Sequence, residues 1–182
     1  MKRGLFILTL TAMLFTMCNT SQMSKDQELK KIVEMENLYR NSQPTKLHEN
    51  AQNLLNIYSD FIGKYPQDTL VPEFLMRSSI VALNTQQESY AITLLNRIYE
   101  NYPSNSLRAE ALFRQAYIYD AFLSDQDKAK ALYEQFLLMF PDDSLAKDAE
   151  QLLLFLDKDP EEFIKYLIEQ QEAIDPDFER AI

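Results

Sequence analysis

Three six-residue phrases, YPQDTL at 65–70, YPSNSL at 102–107 and FPDDSL at 140–145, return 37 and then 38 residues apart. A near-constant interval of this size marks stacked structural units. The agreement extends upstream. IYSDFIGKYP (57–66), LLNRIYENYP (94–103) and LYEQFLLMFP (132–141) share apolar columns at Ile57/Leu94/Leu132, Phe61/Ile98/Phe136 and Tyr65/Tyr102/Phe140. These columns lie about one helical turn apart, so each segment reads as an amphipathic helix with one apolar face. The proline ends it, because the residue before a proline is pushed out of the helical region.

After each proline come Asp68/Asn105/Asp143 and Thr69/Ser106/Ser144. Their side-chain oxygens suit the free N–H groups of a following helix. Pro72 falls in the first turn of one such helix, where its missing N–H costs little. Within each pair of helices, Thr85–Glu88 and Ser124–Asp127 read as capping boxes. The unit is therefore helix A, short turn, helix B, proline, cap, next helix A. Gly occurs only at Gly4 and Gly63, which disfavours a fold built on tight hairpin turns.

The edges are less regular. Residues 26–41 carry Leu29, Ile32, Met35 and Leu38 in one stripe, too short for a sustained coiled coil and read as the first helix. Asp159–Pro160–Glu161–Glu162 starts a last helix to about 172. The expected fold is all-α, with hairpins at about 26–65, 70–102, 107–140 and 145–172 and a tail at 173–182.

Residues 1–18 have the pattern of a secretory leader: Lys2 and Arg3, then an apolar stretch from Gly4 to Phe15 too short to span a bilayer. Cys18, the single cysteine, closes it ahead of a polar tether at 19–25. This junction resembles that of bacterial lipoproteins, which implies lipidation of Cys18 and a place on the periplasmic side of the outer membrane. Ordinary cleavage beside Thr16 and Cys18, giving a soluble periplasmic product, is the alternative.

The formal net charge is −10. Such a chain is repelled by nucleic acid and by anionic lipid, so no nucleic acid partner is expected, and the membrane only through a lipid anchor. One histidine, His48, and one leader cysteine do not make a zinc cluster, and Gly63 alone does not make a phosphate loop. The acidic pairs Asp142/Asp143 and Glu161/Glu162 follow prolines at helix starts, where they oppose the positive dipole end. No enzyme activity, cofactor or small-molecule substrate is expected.

Taken together, these columns resemble tetratricopeptide repeats. With Pro72 as the first position, Leu75, Ser79, Ala82, Ala91, Leu95, Ile98 and Pro103 fall on the motif positions. With one extra turn residue, Leu112, Ala116, Tyr119, Ala129, Tyr133, Phe136 and Pro141 do the same. Ser78 and Gln115 depart from the motif, standing where it usually has apolar residues. The longer interval resembles repeats of Tol–Pal-associated coordinator proteins and of a lipoprotein that assists outer-membrane barrel assembly. The resemblance implies a right-handed superhelix of three to four hairpins and an interaction scaffold. It also implies a concave wall of Glu73, Met76, Ile80 and Leu83, then Glu110, Phe113, Tyr117 and Asp120, with Gln151 and Phe155 from an imperfect third helix. Met76, Ile80, Phe113, Tyr117 and Phe155 are the expected contacts to an apolar peptide or helix with basic flanks. Two alternatives stand beside this: the same side chains pack between A helices, and the protein docks by its convex face and ends as a structural subunit of an envelope complex.

Overall fold

The computed structural model describes residues 23–159, 161–162 and 164–168. Cys18, the rest of the leader and the tail at 173–182 lie outside the described residues. The described chain is all-helical: α1 (Lys25–Arg40), α2 (Pro44–Lys64), α3 (Val71–Asn84), α4 (Glu88–Asn101), α5 (Leu107–Ala121), α6 (Gln126–Met139) and α7 (Ala146–Asp157). Residues 161–162 and 164–168 are also helical. Each helix packs on its neighbours in the chain, and α3 also touches α5. Contacts thus run between successive elements, as in a helical repeat array of the tetratricopeptide type.

The repeated phrase builds the same turn three times. Tyr65, Tyr102 and Phe140 end α2, α4 and α6 with ψ of 59°, 62° and 54°, outside the helical range, as the following proline requires. Three residues later the N–H groups of Asp68, Asn105 and Asp143 bond back to those aromatic residues' carbonyls, at 3.0, 3.0 and 3.1 Å. Each side chain then turns forward. Asp68 Oδ1 accepts from the Leu70 N–H at 3.0 Å, Asn105 Oδ1 from Leu107 at 2.9 Å, and Asp143 Oδ1 from Leu145 at 2.9 Å. This is an Asx turn ahead of the helix. Thr69, Ser106 and Ser144, expected to share the capping, do not: the one side-chain bond at these positions runs from Ser144 to Asp143.

Both expected capping boxes are corrected. Thr85 closes α3 rather than opening α4, because its hydroxyl donates back to the Val81 carbonyl at 2.9 Å. Gln86 then takes φ of 60°, and α4 starts without a side-chain cap. In the next hairpin Ser124 takes the equivalent left-handed position, φ 52°, and Asp125 caps α6 through the Lys128 N–H. The first helix starts at Lys25, one residue ahead of the expected 26, because Ser24 and Gln27 form a capping box there. Asp159 does cap the last helical segment, accepting from Glu161 and Glu162 at 2.9 and 3.0 Å.

The core runs through the stack as two clusters that meet at α4 and α5. One cluster joins α1 to α4 and reaches Ala111 and Ile118 of α5; the other joins Tyr99 of α4, the opposite face of α5, α6 and α7. Helix α5 is therefore apolar on two faces and sits between α4 and α6. Small side chains let the helices approach: Ser79, Ala82, Ala91, Ala116 and Ala129 are all buried. Leu75, Leu95, Ile98, Leu112, Tyr133 and Phe136 are buried among them, Tyr119 is half-buried, and Pro103 and Pro141 stay at the exposed turns. Ser78 and Gln115 are buried as well, Gln115 donating to its own helix at the Ala111 carbonyl. The α1 stripe uses Leu29, Ile32, Met35 and Tyr39; Leu38, expected inside, is exposed. Helical pitch explains this, since steps of three drift off a face that turns every 3.6 residues.

Candidate functional site

Helices α3, α5 and α7 are the A helices, and the phrases put them in a common register. Fifteen residues after the aromatic that opens each phrase stand Ile80, Tyr117 and Phe155. They are 40%, 43% and 47% exposed. One large apolar side chain thus stays at the surface at the same point of three successive helices. Four residues earlier, Met76 is buried, Phe113 is half-buried and Gln151 is exposed. Phe113 packs edge-on to Tyr133 and Phe136 of α6, at 5.7 and 5.6 Å between ring centres. Met76 and Phe113 are therefore turned inward, and the more exposed of the five expected residues are Ile80, Phe155 and Tyr117, whose ring packs edge-on to Phe122 at 6.1 Å between centres. Helical geometry separates Phe113 from Tyr117, because residues four apart are offset by about 40°, which turns Phe113 toward helix B while Gln151 of the third helix stays exposed.

Charge frames this ladder. Glu73 pairs with Arg77 on α3, and Glu110 with Arg114 on α5, the second pair at 2.7 Å. The pairs are equivalent, 37 residues apart. Arg77 also reaches across to α1, where its Nη1 donates to Glu36 Oε1 at 2.7 Å. The same Glu36 oxygen accepts from the Tyr58 hydroxyl of α2 at 2.5 Å. Burial, then the Glu36 carboxylate, pushes the Tyr58 phenol well above its ordinary value. These groups enclose a cleft of about 370 Å³, walled by Glu36, Tyr39 and Arg40 of α1 and Arg77 and Ile80 of α3, with Leu54 and Tyr58 beneath.

Tyr133 holds the same repeat position as Tyr58. Its hydroxyl is buried without a hydrogen-bond partner among the described residues. Burial, reinforced by the Asp120 charge, raises its pKa too. Asp120 is itself raised by desolvation.

Two features escape a motif reading. The Tyr58–Glu36–Arg77 network joins three helices, and side chains brought together from positions 22 and 41 residues apart leave no local pattern. Leu138 and Met139, near the end of α6, are 81% and 44% exposed. Here the signal was present: the equivalent residues are Gly63–Lys64 and Glu100–Asn101, so two polar or small positions have become apolar in the third unit only.

Among the described residues no three acidic, His or Cys side chains converge to hold a metal ion, and no helix is long and apolar enough to cross a membrane. Comparison with characterised proteins returns no match in the curated set. Residues 110–143, which span most of α5, all of α6 and the start of the third phrase, match the family model described as tetratricopeptide repeat. The fold of the described chain is accordingly that of a tetratricopeptide-like helical repeat, the kind of scaffold that mediates protein–protein interaction.

Proposed function

We propose that this chain is an exported, lipid-anchored adaptor that holds a partner protein against its A-helix face. The observation that carries the reading is the ladder of Ile80, Tyr117 and Phe155, three exposed apolar side chains in one register. Large aromatic and aliphatic side chains dominate interface energetics where a partner covers them. The leader pattern and Cys18 support export and anchoring at the outer membrane, facing the periplasm. In-cell photo-crosslinking tests the proposal, with a photo-reactive phenylalanine analogue in place of Tyr117 or, as comparison, of exposed Leu138. Capture of one partner from position 117 and not from 138 is the expected result. Labelled palmitate should mark the full chain, and Cys18→Ala should remove both label and membrane association.

A second reading rests on Leu138 and Met139. They favour a structural subunit of an envelope assembly or Tol–Pal-like complex, docked by the turn edge rather than by the A helices. Crosslinks from position 138 with none from 117 would support it.

A further inference from the structure

We infer that the edge built by the three phrase turns lies on the bilayer surface, with Leu138 and Met139 entering the boundary between headgroups and acyl chains. The inference rests on the lipid-anchored reading and adds a second, non-covalent membrane contact to it.

The place where the described chain starts carries the argument. The first turn of α1 lies against the end of α2. Lys25 Nζ pairs with Asp68 in the first phrase turn, and Lys64 Nζ donates to the Met23 carbonyl at 3.4 Å. Met23 follows Cys18 by five positions, a length of chain that reaches about 18 Å at most. A lipid on Cys18 therefore keeps this edge close to the membrane. Two exposed apolar pairs flank α6. Phe122 and Leu123 precede it on the opposite edge, and Leu138 and Met139 end it on the phrase edge. The 14 residues of α6 put the pairs about 20 Å apart. Leu138 and Met139 are the pair on the anchored edge. They stand beside the third phrase and the anchor beside the first, so the two contacts together fix how the edge meets the surface.

Charge and side-chain type set the kind of contact. The chain carries a net charge of −10, and Lys25 and Lys64 on this edge are already paired with Asp68 and Glu28. Attraction to anionic lipid is therefore not the basis. Leucine and methionine gain by leaving water instead. Half-buried Tyr65 and Tyr102 on the same edge are of the type that sits at headgroup level. The anchor makes the contact intramolecular, so two side chains suffice where they would not hold a free protein.

The test uses the full chain, purified from membranes and reconstituted into vesicles of phosphatidylcholine and phosphatidylethanolamine. Leu138→Cys and Leu123→Cys variants carry a polarity-sensitive fluorophore; a lipid-modified Cys18 has no thiol left to react. Nitroxide on the lipid acyl chains should quench the label at 138, with a blue shift of its emission, and leave the label at 123 bright. A third variant, Ser104→Cys, reports the second phrase turn. Its quenching by headgroup nitroxide should be lost when Leu138→Ser and Met139→Ser are added, while the chain stays on the vesicles and its thermal unfolding midpoint holds.

The inference is overturned if the label at 138 is quenched no more than the label at 123, or if the signal at 104 survives the two Ser substitutions. In either case a chain that remains on the vesicles leaves the anchored reading standing. A protein captured from position 138 in cells, with the vesicle label unquenched, overturns the inference in favour of the structural-subunit reading. If Cys18 reacts with the fluorophore and the chain leaves the membrane fraction, the anchored reading falls and takes the inference with it.

Discussion

Tyr58, Leu95 and Tyr133 occupy one column of the repeat, and the hydroxyls of the two tyrosines meet different ends. Tyr58 donates to Glu36, whereas the Tyr133 hydroxyl is buried with no hydrogen-bond partner among the described residues. An unsatisfied buried hydroxyl costs about 1–3 kcal/mol, so Tyr133→Phe should raise the stability by about 1 kcal/mol. Tyr58→Phe should lower it by about 1–2 kcal/mol, since it removes a hydrogen bond to a charged group. Denaturant midpoints of the two variants, moving in opposite directions, check this. Both phenols are raised above the ordinary value of about 10. Their contribution is fully present below about pH 10 and is lost above it, as the unfolded chain ionises phenols that the folded chain keeps neutral. Alkaline unfolding should therefore begin above about pH 10, and the double Phe variant should lose less stability there than the wild type. Glycine placement gives another pair. Gly63 lies within α2, and a Cβ added there meets nothing within 4 Å, so Gly63→Ala should stabilise by about 0.5–1 kcal/mol. Gln86 takes φ of 60°, where a Cβ is strained, and Gln86→Gly should stabilise by a similar amount. Thermal unfolding of the two single variants tests both signs.

At the scale of elements, the phrase is a turn module whose first polar residue acts and whose second does not. Alanine at Asp68, Asn105 or Asp143 should cost about 1 kcal/mol each. Alanine at Thr69, Ser106 or Ser144 should stay within about 0.5 kcal/mol. Asp68 adds an ion pair to Lys25 that helps hold α1 on the stack, and its pKa is lowered chiefly by that lysine and then by the Leu70 N–H. Its stabilisation is present above about pH 4 and is lost as pH falls below that. Six denaturant titrations, one per position, separate the two classes. Close packing between helices gives a stronger contrast. Ala116 and Ala129 are fully buried in the α5–α6 hairpin, so Leu at either should cost about 1–3 kcal/mol. Lys130→Ala removes a solvent-screened surface pair with Asp157 and should leave the denaturant midpoint almost unmoved. Equal midpoints for the three variants would show the repeat register to be misplaced.

For the whole molecule, contacts between successive helices make stability a property of neighbours. Helix α5 belongs to both core clusters, while α7 contributes Ala146 and Ala149 as its buried residues. Helix α1 buries a single residue, Ile32, so hydrogen exchange should be slowest in α3 to α5 and faster in the end helices α1 and α7. Uniform protection from α3 to α7 would contradict a chain of nearest-neighbour contacts and favour one indivisible core.

Periodicity, proline and side-chain size in the sequence determined the helical repeat, its register and the small-residue columns, because each is set within one or two turns of chain. Ala91, Ala116, Ala129, Leu95 and Ile98 were readable for that reason, and their burial follows the pattern. The caps were half readable: Asp68, Asn105 and Asp143 act as written, but Thr85 bonds backward because a hydroxyl near a helix end can serve either direction. Which face remains open was not readable. Met76 and Ile80 are both apolar and four apart, and only the placing of the neighbouring helices buries the first and leaves the second at the surface. The same holds for Phe113, drawn between Tyr133 and Phe136, and for Glu36, which finds Tyr58 and Arg77 across two other helices. Tertiary structure decided these because burial depends on what a side chain faces, and a local period fixes the direction of a side chain without fixing its surroundings.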